Sequence, residues 1–484
     1  MTLICGGMLL GVLAVASVPA PAALSAVNFV PCHVKGVNEE VRCGVYKVFE
    51  NRQTRKGRML PLKIVLIPAK HPHPADGPVF YMAGGPSESA TELAGFIIES
   101  GDSEEHDVVL VDQRGTGRGH RLDCHSRGSD NDLESYLNGP FNPAAARACR
   151  DELEQKYDLP QYSTPNFADD IDEVRSAIGY DKINVSAGSC GTYAALIYMR
   201  RHSDDVRTAY LMSLTLFADR VPLYFAKAAQ LALDELFKEC EQDRACHAAY
   251  PRLKGDFEAL LKKLHAGPVL TSVHNPITGE PTEIHLTERA FGDAVRLILY
   301  HNAYDIPFLI EQAIHGNLSP FAEEALRVNR EIYSAGKMGL YYAITCNEFV
   351  SRIQPQEVEP ATRGTFLGSW RVHDQMEACK DWPKTELPND YFEPVRVNIP
   401  IVVVSTEADP SGFSWSKEVA SLMRNAVQVF VPGVGHTSDN DCLRSIRHAL
   451  FRSGTTKNLD TSCIAKLEHP QFRLPLRLRS PTPP

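Results

Sequence analysis

A chain of 484 residues with 43% hydrophobic content can bury one large domain carrying an insertion, or two domains. Its formal net charge is −10 and no basic stripe runs along it, so nucleic acid is excluded as an expected partner. No internal repeat or low-complexity tract interrupts the sequence.

The first element is an apolar run, Leu3 to Val18, followed by Pro19 and several small residues; the first charged side chain is Lys35. This pattern predicts a secretory signal peptide over residues 1–26, with cleavage after Ala22 or Ala26. No Lys or Arg precedes the run, which leaves open that the segment stays as an anchor; once it is cleaved no contact with a membrane is expected. No later run is long enough to span a bilayer. Of twelve cysteines, Cys5 leaves with the signal segment. Ten of the rest fall into local pairs: Cys32 with Cys43, Cys124 with Cys149, Cys240 with Cys246, Cys346 with Cys379, and Cys442 with Cys463. The absence of C-x-x-C argues against zinc and thioredoxin-like chemistry, and paired disulfides in an oxidising compartment fit better. The pairing itself is not fixed by the sequence, and Cys190 is left over.

Short runs rich in Val and Ile follow in order: Lys63 to Ile67, Pro78 to Met82, Val108 to Val111, Ile183 to Ser186, Ala209 to Leu214, Ile399 to Ser405 and Val427 to Val431. Most are apolar throughout rather than alternating, as expected of strands buried on both faces of a parallel sheet. Helical patterns at Phe167 to Ile178 and Thr192 to Arg201 alternate with them, which predicts an α/β architecture. From about Phe217 the pattern changes. Leu231 to Lys238, Asp256 to Leu264, Glu288 to Tyr300 and Phe321 to Ala335 read as helices with little strand signal. The predicted organisation is a sheet domain in two parts, 27–216 and 393–470, a mainly helical cap over 217–392, and a disordered tail over 471–484 that is rich in Pro and Arg.

The stretch Ile183 to Leu196, "INVSAGSCGTYAAL", runs from an apolar strand through Ala-Gly-Ser-Cys-Gly into a good helix. Small residues before Ser189 and the glycines Gly188 and Gly191 predict a tight strand-to-helix turn with the Ser189 hydroxyl pushed outward, the geometry of a nucleophile elbow. A serine hydroxyl needs a base, and the base needs a carboxylate to hold its tautomer. In α/β-hydrolases these follow in the order Ser, acid, His. Two later strand ends supply them, Asp409 in "TEADPSG" and His436 in "VGHTSDN", both where open α/β sheets place ligands. Glu407, Asp439 and Asp441 are rival acids. The oxyanion donors expected are the backbone N–H of Cys190 and one from "AGGPSES", with Gly85 the first choice and Gly84 beside it. The glycines of "VDQRGTGRG", Gly115, Gly117 and Gly119, have the wrong spacing for a dinucleotide loop and suggest a structural loop bracing the site. "HPHP", His71 to Pro74, reads as a surface loop. No metal or cofactor is expected.

The blocks "AGGPSES", "VDQRGTGRG…LDC", "DDIDEVRSAIGYDKINVSAGSCGTYAALIYMRRH", "ECEQDRAC", "AITCNE" and "VPGVGH…DC…LDTSC" occur in the same order as in exported proline-iminopeptidase-like and tripeptidyl-aminopeptidase-like α/β-hydrolases, which the mature chain resembles over nearly its whole length. The resemblance implies a serine exopeptidase acting on short peptides, with the family's Ser, Asp and His at Ser189, Asp409 and His436. Two departures stand out: Ala83-Gly84-Gly85-Pro86-Ser87 replaces the family's usual His-Gly-Gly-Pro-Gly, and Ala187 replaces the first elbow glycine. An aminopeptidase must hold a free α-ammonium group, and a cap carboxylate would do so through a charge-assisted hydrogen bond. Glu348 in "TCNEF" is the candidate, with Glu235 and Glu377 as alternatives. A secreted carboxylesterase using the same triad and a non-catalytic binding protein are the competing readings. The sequence does not give the oligomeric state.

Overall fold

In a computed structural model of the protein, the described residues are 27–117, 120–124, 132–139, 141–214, 220–411, 423–436 and 439–475; of 333–335 only the backbone is described. The signal segment, Gly119 and residues 476–484 lie outside this set.

The strands are β1 (Val30–Cys32), β2 (Val41–Phe49), β3 (Met59–Ile67), β4 (Val79–Met82), β5 (Val108–Val111), β6 (Ile183–Gly188), β7 (Val206–Met212), β8 (Val269–His274), β9 (Pro281–Leu286), β10 (Ile401–Ala408) and β11 (Ala426–Val434). Nine of them form one sheet in the order β1-β2-β3-β5-β4-β6-β7-β10-β11. β1, β2, β3 and β5 pair antiparallel, and every neighbour from β5 through β4 to β11 is parallel. All four residues of β5 and all six of β6 are buried, as sheet strands covered by helices on both faces must be. The chain also forms β2, whose apolar positions alternate because its outer neighbourhood is solvated; the all-apolar criterion does not find such a strand.

The helix Thr164–Ile178 starts with Pro165 in its first turn and ends on Gly179 at φ 93°, the left-handed cap that glycine adopts without strain. The helix Cys190–Arg201 is buried from Gly191 to Met199, so its apolar composition reflects a central position rather than an amphipathic one. Between β7 and β10 the described elements are mainly helices, as the sequence pattern suggested. They also include a two-stranded antiparallel sheet, β8-β9, joined through the turn around Asn275. Helices Phe225–Gln242, Leu253–His265, Glu288–His301 and Ser319–Ala335 surround a separate apolar cluster containing Leu236, Phe257, Phe291 and Phe321. The helix Met338–Glu348 instead shares a cluster with the sheet, through Leu340, Tyr342 and Ile344.

Among the described residues, five disulfides join Cys32–Cys43, Cys124–Cys149, Cys240–Cys246, Cys346–Cys379 and Cys442–Cys463. Residues 471–475, expected as the start of a disordered tail, pack on the helical layer instead. Phe472 and Leu474 join its apolar cluster, and the Arg473 N–H donates to the Tyr304 carbonyl at 3.1 Å. No described helix is long and apolar enough to cross a membrane.

Candidate active site

Ser189 stands between β6 and the helix Cys190–Arg201 at φ 52°, a conformation that costs a non-glycine residue strain energy and exposes its hydroxyl at the sheet's carboxyl edge. The turn is held by the Ser189 N–H, which donates to the Met212 carbonyl at 2.9 Å. It is also held by close packing. A Cβ at Gly191 would lie 2.2 Å from the Met82 carbonyl oxygen, so only glycine lets this helix lie against the end of β4.

Asp409 directly follows β10, and His436 follows β11 by one residue beyond Val434. The two parallel strands therefore deliver acid and imidazole to the same edge as Ser189. His436 Nε2 is 2.9 Å from Ser189 Oγ, and its Nδ1 is 2.9 and 3.0 Å from the two carboxylate oxygens of Asp409. Asp409 is buried and His436 nearly so. Of the rival acids, Glu407 is exposed and accepts from the Gly433 N–H, Asp439 pairs with Arg447 at 3.1 Å, and Asp441 pairs with Arg444 at 2.6 Å.

Two further groups fix this line. Ser411 donates to Asp409 Oδ1 from both its N–H, at 2.8 Å, and its hydroxyl, at 2.6 Å. Tyr300, from the helix Glu288–His301, accepts the His436 backbone N–H on its carbonyl at 2.8 Å and sets its ring edge-on to the imidazole. Burial pushes the Tyr300 hydroxyl up to about 12, so it remains a neutral neighbour of the histidine. Ser411 was legible only as part of "ADPSG", where a hydroxyl two residues after an aspartate commonly caps it. Nothing in the sequence pointed to Tyr300.

The loop after β4 brings Gly84 against the nucleophile: a Cβ there would lie 3.2 Å from Ser189 Cβ. A Cβ at Gly85 would first meet the backbone nitrogens of Ser87 and Glu88. The Asp-Gln-Arg-Gly loop braces this region. Asp112 accepts from the Thr91 N–H at 2.9 Å and hydroxyl at 3.1 Å, and fully buried Arg114 grips Asp170 through two hydrogen bonds of 2.7 and 2.8 Å. Above the line lies a cleft of about 570 Å³, bounded by Ser189, His436 and the Gly84–Glu88 loop on one side. Asp293, Arg296 and Arg371 of the helical layer bound the other side.

Glu348 does not face this cleft. Its carboxylate is wholly buried and accepts from the Thr164 N–H at 2.8 Å, the Thr164 hydroxyl at 2.6 Å and the Tyr391 hydroxyl at 2.5 Å. It caps the helix Thr164–Ile178 and has no room for a substrate ammonium group. Burial, partly offset by those donors, pushes it up to about 7. The alternatives Glu235 and Glu377 are exposed or paired on the surface and do not line the cleft. Outside the site, Asp172, His202 and Asp205 are close enough to share a cation, but both carboxylates already pair with Arg175, at 2.8 and 3.2 Å.

Residues 78–258 match the family model described as alpha/beta hydrolase fold, and residues 365–463 match the one described as TAP-like protein. The chain has the α/β-hydrolase fold. Among curated relatives, the tripeptidyl aminopeptidase of Streptomyces lividans is 28% identical over 152 residues, covering 27% of this chain and 27% of the relative. This α/β-hydrolase thus spans about a quarter of the length of the tripeptidyl aminopeptidases it matches. The serine protease Hip1 of Mycobacterium tuberculosis is 22% identical over 482 residues, 90% of this chain and 91% of the relative. Among solved structures, a proline iminopeptidase from Mycobacterium smegmatis aligns at 14% identity with a TM-score of 0.40, covering 81% of this chain and 95% of that one.

Proposed function

We propose that this α/β-hydrolase is a serine peptidase that cleaves peptides near a free N-terminus through an acyl-enzyme. The observation that carries the reading is the hydrogen-bonded line Ser189–His436–Asp409 at the carboxyl edge of the sheet. The TAP-like match over the segment that holds both Asp409 and His436 supports peptides as substrates.

The geometry supports the following steps. Ser189 Oγ attacks the scissile carbonyl carbon while its proton passes to His436 Nε2; Asp409, still ionised, stabilises the imidazolium. The oxyanion faces the N–H of Cys190, the first residue of its helix, where N–H groups have no acceptor within the helix. We assign the second donor to Gly84 rather than Gly85, because Gly84 is the glycine packed on Ser189. His436 then gives its proton to the leaving amine as the C–N bond breaks. Water attacks the Ser189 ester, loses a proton to His436, and the acid leaves as Oγ is reprotonated. Five disulfides fit release into an oxidising compartment, outside the cell or in a periplasm.

The test is kcat/KM on matched p-nitroanilides with free and acetylated amines, with p-nitrophenyl acyl esters alongside. A buried charged partner left unpaired costs roughly 2–5 kcal/mol, so free-amine anilides should be preferred by about 30-fold or more. Equal rates on the two anilides, with faster ester hydrolysis, would make it an esterase.

A further inference from the structure

We propose that Glu88 receives the substrate's α-ammonium group and that its place beside Ser189 restricts cleavage to one residue at a time. The proposal rests on the aminopeptidase reading above and specifies it.

Glu88 follows the Gly84-Gly85-Pro86-Ser87 turn and its side chain lines the cleft. Its backbone N–H donates to the Gly84 carbonyl at 3.2 Å, which fixes its position in the loop. Among the described residues its carboxylate makes no hydrogen bond or ion pair. Of the other acids near the chemistry, Asp409 is occupied by His436, Asp439 by Arg447 and Glu348 by Thr164 and Tyr391, which leaves Asp293 on the opposite wall of the cleft as the rival to Glu88. The charged groups that act on Glu88 are His436, Lys337 and Glu92, and desolvation raises its pKa above the ordinary carboxylate value. A desolvated carboxylate facing a binding cleft, with no partner of its own, is complementary to a ligand cation.

Distance makes the proposal specific. A Cβ at Gly84 would lie 3.2 Å from Ser189 Cβ and 3.7 Å from Glu88 Oε2, so these two atoms are no more than about 7 Å apart. In the acyl-enzyme the α-nitrogen of the first residue is two bonds from the carbonyl carbon, about 2.5 Å away. Two additional extended residues would carry the N-terminus roughly 7 Å further out. Glu88 therefore meets the ammonium of a single acylating residue, and the N-terminus of a tripeptide would lie past it.

The placement also makes the amine matter in the transition state. A carboxylate near the oxyanion hole opposes the negative charge that develops there. Pairing with an ammonium group removes the opposition, whereas an acetylated substrate leaves it. Acetylation should therefore lower kcat as well as raise KM.

The experiment compares alanyl and N-acetylalanyl p-nitroanilide in the wild type, Glu88→Gln and Asp293→Asn, and identifies the first products from Ala-Ala-Ala-Phe by mass spectrometry. Asp293 is the control because it is the acid on the opposite wall of the cleft, contributed by the helical layer. The wild-type preference for the free amine, about 30-fold or more, should shrink at least about tenfold in Glu88→Gln and stay within about threefold in Asp293→Asn. Ala-Ala-Ala-Phe should give alanine and Ala-Ala-Phe first, not tri-alanine and phenylalanine. A preference that survives Glu88→Gln, or collapses in Asp293→Asn, would overturn the role of Glu88; tri-alanine released as the acyl product would overturn single-residue cleavage. A wild type with no preference would instead overturn the aminopeptidase reading itself. Should Glu88→Gln not fold, Glu88→Asp withdraws the carboxylate by one methylene. It should raise KM for the free-amine substrate, and an unchanged KM would contradict the proposal.

Discussion

Ser189 and His436 are useful only in the geometry that their neighbours impose. Asp409 holds Nδ1 of the imidazole, which leaves Nε2 to face the serine hydroxyl. Asp409→Asn would offer an amide donor to Nδ1 and favour the opposite tautomer, with a proton already on Nε2. We expect kcat to fall about 10⁴-fold with the thermal melt little changed. Ser411→Ala removes one hydroxyl donor from Asp409 and leaves the acid in place, so its loss should be smaller, about tenfold. Stopped-flow and steady-state kinetics on the same anilide rank the two; an Ser411→Ala variant as impaired as Asp409→Asn would show that the hydroxyl does more than steady the acid. Cys190 is the first residue of the elbow helix and is not in a disulfide.

At the scale of elements, two contacts decide whether the elbow can form. The helix Cys190–Arg201 approaches the end of β4 so closely that a Gly191→Ala side chain would overlap the Met82 and Ala83 carbonyl oxygens, at 2.2 and 2.8 Å. These are backbone atoms that cannot swing aside, so a loss of about 3 kcal/mol or more is expected in urea unfolding, or failure to fold. A variant as stable as the wild type would contradict this packing. The second contact is Glu348 beneath the helix Thr164–Ile178. Its pKa rises from 4.5 to about 7 on folding, so the native state binds the extra proton. Its contribution is fully present below about pH 4.5 and is lost as pH rises through 7, by roughly 3 kcal/mol at most. Relative to Glu348→Gln, the wild type should therefore be more stable at pH 5 than at pH 8. Urea unfolding at the two pH values checks the sign, and a wild type that gains on the variant with rising pH would contradict it.

Across the whole molecule, what the sequence reveals depends on how directly a residue is tied to a strand. Ser189, Asp409 and His436 each stand at a strand's carboxyl end, so order and local pattern were enough to select them. Glu348 was misread because its neighbours, Thr164 and Tyr391, are remote in sequence, and only packing shows that it caps a buried helix. Glu88 was visible in "GGPSES" but had no signal of its own until Gly84 placed it beside the serine. β2 and the β8-β9 pair escaped a search for all-apolar runs because each has a solvated face. The central claim is that Ser189 is the nucleophile, activated by His436 in an intact sheet edge. Treatment of the native protein with a fluorophosphonate, followed by peptide mapping, tests it most directly. The account predicts a single adduct on Ser189, none in Ser189→Ala, and a fall in kcat/KM of about 10⁴-fold or more in that variant. An adduct on Cys190, or a Ser189→Ala variant that keeps most of its activity, would contradict it.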